Sequence, residues 1–302
     1  MCGLAGIMLK SPGALGELLV RQGQAIRHRG HDSTGFALYG PPQAAPSLDV
    51  HARGAAAVAL PVLLDGDGEV ESVDRRCARG DELFLRVNLT PGADLAGATE
   101  RVEATGGWVH GAGTSVRVVK DLGDAAAVDA MHGVSALGGT HGLVHCRLAT
   151  ESIVDVDYSH PFWARPFPDV TVVHHGHITN YDRLRRIMVG QGHRFATGND
   201  SELAAVWLAE RMAAGLAFEV ALEEAAATFD GTFLLLFGTP EGIGAARDKY
   251  GACPLVVAED EHAIAFGSEA GAVLAVVDPA SAVVQMPEEE VVTWSVASTA
   301  VR

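Results

Sequence analysis

Apolar and polar positions change rhythm several times along this chain, and each rhythm predicts a kind of element. Residues 4–9 form a short apolar run that reads as a strand, 14–28 carry apolar positions at helical spacing, and 34–39 read as a strand again. Pro41, Pro42 and Pro46 then break the pattern. From about 48 to 140 the texture differs. DELFLRVNL and TSVRVVKD alternate like half-buried strands, whereas AAAVALPVLL and DAAAVDAMHGVSAL look helical. From 141 onward GLVHCRLAT, VTVVHHGHI, FLLLFG, IGAARD, PLVVAE and AIAFGS are short apolar strands separated by turn residues. Helical periodicity runs over 200–215 and 218–228. Groups of short strands with helices between the groups predict stacked sheets covered by helices, an α+β layered arrangement. No internal repeat or low-complexity tail interrupts it.

Composition narrows the picture without deciding it. The chain has 302 residues, of which 48% are hydrophobic and 20% charged, as expected of a soluble globular protein with a substantial core. Its 22 basic and 38 acidic side chains give a formal charge of −16, which argues against nucleic acid, whose phosphates need a basic face. The first ten residues, MCGLAGIMLK, have no basic stretch ahead of an apolar core, so no signal peptide is expected. No apolar run approaches the ~20 residues needed to cross a bilayer. The four cysteines, at 2, 77, 146 and 253, never fall in C-x-x-C spacing, which offers neither a zinc knuckle nor a cluster-binding run. A reducing cytoplasm is the expected setting. Cys77 and Cys253 read as small buried or half-buried residues.

Cys2 carries the first chemistry. Once the initiator methionine is removed, it owns both a thiol and a free α-amine. That amine has an ordinary pKa of ~7.7–8.0, close to working pH, so it can take the thiol proton without a separate histidine. The thiolate is the nucleophile. A cysteine at the second position means little by itself; four further segments give it meaning. Residues 29–35 read RGHDSTG, 145–150 HCRLAT, 174–180 HHGHITN and 199–202 NDSE, each at a strand or helix end where polar groups can converge.

Together with the N-terminal MCGLAG, these segments resemble, in order, the signatures of the class II glutamine amidotransferases, which have the N-terminal-nucleophile fold. RDKYGACPLVVA (247–258) and FGSE (266–269) resemble the closing strands of that family. The resemblance covers nearly the whole chain and is thinnest over 41–140. It implies a four-layer αββα sandwich of two antiparallel sheets, forming a single domain over 1–302 with an insertion at about 41–140 that elaborates one edge.

The resemblance also implies roles. Cys2 attacks the side-chain amide of glutamine and forms a γ-glutamyl thioester. Arg147 clamps the substrate α-carboxylate, as a guanidinium can do in bidentate fashion. Asp200 holds the α-ammonium, Thr150 lines the same pocket, and Arg29 supports the loop near the nucleophile. Gly176 gives its backbone N–H to the tetrahedral oxyanion. One position departs from the pattern. The family has H-N-G where this chain has His174-His175-Gly176, and the asparagine amide is the usual second oxyanion donor. Either His175 substitutes for it, or the site is weakened; losing one such donor can cost on the order of 10²–10³ in rate.

His141, His145, His174, His175 and His177 could instead suggest a metal site. No carboxylate or cysteine joins them at ligand spacing, and the amidotransferase register accounts for their surroundings, so no metal is expected. The chain shows no phosphate loop, dinucleotide fingerprint or cluster motif, so it is expected to bind no cofactor and to leave the acceptor chemistry to another polypeptide. HCRLATES and DYSHPFW look most similar to free-standing amidotransferase subunits of the glutamate synthase group, including N-methylglutamate synthase. The implied partners are synthase subunits carrying FMN and iron–sulfur clusters. The alternative is a catalytically degenerate subunit that keeps the fold for assembly.

Overall fold

In the strand Gly3–Gly13 successive side chains serve two different cores. Leu4 and Met8 join Tyr39, Leu143, Val173, Leu234 and Ile243 in one cluster. Ala5, Ile7 and Leu9 join Leu15, Leu19, Val20 and Val128 in another. A two-residue period with apolar residues at nearly every position means a strand buried on both faces. The strand Gly231–Thr239 behaves alike: Leu234 and Leu236 face the shared cluster, while Phe233, Leu235 and Phe237 face a third with Leu203, Trp207 and Leu222.

These clusters define the layers of the computed structural model, which describes residues 2–148, 154–288 and 290–296. The first sheet has seven strands, in spatial order Val284–Gln285, Val256–Glu259, Ala263–Gly267, Gly3–Gly13, Gly139–Arg147, Ser33–Tyr39 and Val116–Leu122. The second has five: Val291–Ser295, Gly242–Arg247, Gly231–Thr239, Thr171–Ile178 and Phe162–Trp163. The pairings are antiparallel. The sheets pack face to face. Helices Leu15–Ala25, Ala125–His132 and Ala270–Leu274 cover the outside of the first, and Tyr181–Gly190, Asp200–Ala213 and Phe218–Thr228 the outside of the second.

A third, four-stranded sheet lies within residues 47–113. Its strands Val70–Arg79, Glu82–Leu89, Ser47–Arg53 and Trp108–Gly113 pair antiparallel in that order, with helices Ala55–Asp65 and Leu95–Ala104 in a βαββαβ succession. It has its own apolar cluster, built from Leu48, Val50, Leu60, Leu64, Leu85 and Val102, to which the body adds Trp163. The chain then returns to the body: Val116–Leu122 is the edge strand of the first sheet and Ala125–His132 one of its covering helices. Asp169 fastens the return by accepting the backbone N–H groups of Thr114, Ser115 and Val116 at 2.9, 2.8 and 2.8 Å. No helix among the described residues is long and apolar enough to cross a membrane.

Candidate active site

Strand register brings Cys2 and Arg147 to one end of the cleft between the two body sheets. Gly3 pairs with Cys146 and Leu4 with His145. Leu4 faces the second sheet, so by the two-residue period Cys2 and Arg147 share that face at the strand ends. The Cys2 thiol lies 3.7 Å from the Leu148 carbonyl. Arg29, in the single turn Arg27–Arg29, donates from Nε to the Cys2 carbonyl at 3.2 Å and from Nη1 to Glu269 at 3.4 Å. It anchors the backbone of Cys2. Gly30 follows because the chain passes so close to the Arg147 strand that a Cβ there would stand 2.4 Å from the Arg147 carbonyl carbon.

Arg147 is 4% exposed, and burial pulls its pKa below the ordinary guanidinium value while Cys2, Asp32 and Asp155 oppose that shift. Asp200 opens the helix Asp200–Ala213, whose N-terminal N–H groups favour an anion. Its Oδ2 accepts from the Ile178 N–H at 3.0 Å, and His174 Nδ1 stands 3.5 Å from Oδ1. Burial alone would raise this carboxyl; His174 and the Ile178 N–H outweigh it and bring the pKa down to about 2. Asp200 is therefore an anion at neutral pH.

Gly176 and His175 sit on the strand Thr171–Ile178. Gly176 has φ +121°, and a Cβ there would come within 2.0 Å of the Thr232 carbonyl oxygen, so only glycine fits. Phe233, its cross-strand partner, exchanges its N–H and C=O with Asp248 instead. The Gly176–Phe233 pair is thus of the non-hydrogen-bonded kind, and the Gly176 N–H points away from that ladder. The His175 ring lies in the cleft, its pKa pushed down to about 4 by burial and by His174 and Arg29. At neutral pH it is an uncharged imidazole with one N–H to donate. Thr150 lies outside the described residues.

Sequence reasoning missed the support beneath Asp200. Ser201 Oγ lies 2.9 Å from His174 Nδ1 and 2.8 Å from His160 Nε2. His160 stacks on His145 with ring centroids 4.1 Å apart, and His145 donates from Nε2 to the His174 carbonyl at 3.1 Å. Burial lowers the pKa of His145 to about 3 and holds His160 well below its ordinary value, so both rings are neutral. The signal available was the even-numbered His174 on a strand whose even positions face a helix, and DYSHPFW, whose histidine had no assigned role. The five histidines weighed as a metal site do not converge. His141 stacks on Tyr39 and reaches the Thr239 carbonyl, whereas His145, His174 and His175 are engaged as above. Cys253 lies beside the site, its thiol 3.8 Å from the His175 carbonyl and pushed up to about 11 by burial.

Comparison with known proteins gives a consistent result. A family model described as "Glutamine amidotransferase domain" matches residues 145–275. A protein of Methanothermobacter thermautotrophicus named "Putative glutamine amidotransferase" is 32% identical over 89% of this chain and 92% of its own length. The "glutamine amidotransferase-like protein GlxB" of Rhizobium meliloti is 33% identical over 95% of this chain and 96% of its own. Among solved structures, the glutamine phosphoribosylpyrophosphate amidotransferase of B. subtilis superposes with a TM-score of 0.61 at 14% identity, a likeness of fold. The match covers 98% of this chain, which spans about half (49%) of that longer protein.

Proposed function

The chain belongs to the class II glutamine amidotransferase family, and from that premise we propose that Cys2 is the nucleophile of a glutaminase reaction carried out in the cleft described above. The four layers are those of the N-terminal-nucleophile fold. Arg147 and Asp200 read the two charges of an amino acid head group, carboxylate and ammonium. The Cys2 thiol passes its proton to its own α-amine and the sulfur attacks the glutamine amide carbon, moving the C=O electron pair onto oxygen. The Gly176 N–H and the His175 ring stabilise that oxyanion. Collapse expels ammonia, which takes the proton back from the amine, and leaves a γ-glutamyl thioester. Water then attacks the thioester, the amine accepts its proton, and the thiol leaves with glutamate formed. The observation that carries this reading is the tie of Arg29 to the Cys2 carbonyl at a strand end shared with Arg147.

The ammonia goes to a synthase site on another polypeptide of the glutamate synthase or N-methylglutamate synthase kind, with FMN and iron–sulfur clusters on that partner and no cofactor here. The setting is cytoplasmic. Two full-length relatives of this chain's own length support a free-standing subunit. His175 in place of asparagine favours a second reading, a subunit that keeps the fold and has lost turnover.

The test is glutamine hydrolysis by wild type and Cys2→Ala, with intact mass confirming that Met1 is gone, without and with a flavin and iron–sulfur synthase partner. Turnover present in wild type and abolished in the variant is expected. No turnover from a free N-terminal cysteine, even with partner present, overturns the glutaminase reading in favour of the second.

A further inference from the structure

At the seam between the βαββαβ unit and the body, two imidazoles and one carboxylate converge in the interior. His51 Nδ1 and His110 Nε2 each stand 2.8 Å from Asp157 Oδ1, and the three ligating atoms all lie within 4.8 Å of one another. The side chains of His51 and Asp157 are 0% exposed and that of His110 5%. The three come from separate places: the strand Ser47–Arg53, the strand Trp108–Gly113 and the segment before Phe162. His110 is the extra residue of a bulge, since Asp49 pairs with Gly111 and Val50 with Val109. Bulges of this kind re-aim a side chain.

Hydrogen bonding alone leaves one nitrogen of this cluster without a partner. If neutral His51 donates from Nδ1 to Asp157, its Nε2 carries a lone pair. That nitrogen is buried, has no hydrogen-bond partner, and stands 3.8 Å from the Glu82 carboxylate. A cation held at Nδ1 moves the proton to Nε2, where the N–H faces Glu82. This is the arrangement in which a ligating histidine turns its other nitrogen to a carboxylate. Arg53 donates to Asp157 Oδ2, which orients the carboxylate and leaves Oδ1 for the site. A cavity of about 30 Å³, lined in part by His110, Asp157, Lys120 and Glu202, adjoins the cluster. It is large enough for one water, which needs roughly 10–15 Å³.

We propose that His51, His110 and Asp157 bind one divalent transition-metal ion, zinc by ligand preference, with a water in the fourth position, pinning the βαββαβ unit to the body. Two imidazoles, one carboxylate and one water form a zinc set, and the two imidazole–carboxylate separations of 2.8 Å need only small opening to receive the ion.

The test is equilibrium dialysis of chelator-treated full-length wild type against Zn²⁺ with elemental analysis, and Co²⁺ loading read by visible absorption. His110→Gln and Asp157→Asn are run in parallel, their folding checked by circular dichroism. The expected result is one equivalent per chain, a tetrahedral Co²⁺ spectrum, and affinity weakened at least tenfold in either variant. Wild type holding under a tenth of an equivalent overturns the proposal and leaves a clasp of hydrogen bonds. Metal retained undiminished by both folded variants overturns it equally, because the ion then sits elsewhere. Neither result bears on the Cys2 chemistry, which the glutaminase assay reads separately.

Discussion

A single side chain, His175, is where the proposed active site departs from the H-N-G segment that the resemblance implies. The ring stands in the cleft with its pKa down at about 4, so it keeps one N–H and no charge across the physiological range. A neutral donor suits an oxyanion site, and removing one such donor costs on the order of 10²–10³ in rate. The expected kinetics are therefore asymmetric. His175→Ala lowers kcat for glutamine hydrolysis by about 10²-fold or more, whereas His175→Asn, which restores an amide donor, stays within about tenfold of wild type. Steady-state rates with saturating glutamine check this; an alanine variant as fast as wild type removes His175 from the site. Beneath it, the pair of His160 and His174 on Ser201 shows why Asp200 can stay fixed while half-buried: the groups next to the carboxylate are themselves packed and hydrogen-bonded.

At the scale of elements, the period of two does most of the positioning. The strand Thr171–Ile178 sends Val173 into the cleft between the sheets and Val172 and Ile178 toward the helices. One strand thereby supplies His175 to the Cys2 side and His174 to Asp200. Gly176 directly after them tolerates no side chain, because its φ of +121° and the Thr232 carbonyl 2.0 Å from an added Cβ both forbid one. Gly176→Ala is expected to cost about 2–4 kcal/mol of stability. Gly190→Ala, at a helix end with nothing within 4 Å, is expected to change it by less than about 1 kcal/mol. Urea denaturation of the two variants beside wild type checks the contrast, and equal midpoints would contradict it. The strand Val70–Arg79 illustrates the opposite case. It is an edge strand whose residues are half-buried or exposed, so ESVDRRCAR shows no apolar alternation and reads as nothing in particular.

For the whole molecule, the layering has a consequence in pH. Burial holds His141 at about 4, His145 at about 3, and His160 well below its ordinary value. In the unfolded chain these rings titrate near 6.5. Between about pH 6.5 and 4 the unfolded state therefore binds protons that the folded state does not, so stability rises with pH through that window. The contribution is fully present above about 6.5 and is lost on acidification, each fully buried ring adding up to ~1.4 kcal/mol per pH unit. Asp200, with its pKa lowered, extends the loss in the same direction below pH 4. The urea midpoint at pH 5 is expected well below that at pH 7.5; coincident midpoints would show that these histidines are not buried neutral.

The sequence by itself determined the parts that depend on local period and on short motifs. Runs such as FLLLFG and IGAARD became the strands Gly231–Thr239 and Gly242–Arg247, and 200–215 became the helix Asp200–Ala213, because burial on a strand or helix face leaves a fixed repeat in the chain. MCG, RGHDSTG, HCRLAT and NDSE stood out as candidate chemistry because each places polar or titratable residues at an element end. What only the tertiary structure decided is what no period encodes. His160 reaches Ser201 from 41 residues away, and His51 meets Asp157 across 106. Residues 47–113 close on a core of their own, while 116–122 returns to the first sheet. Contacts between distant segments depend on how layers stack and where bulges turn a side chain, and neither leaves a mark on neighbouring residues in sequence.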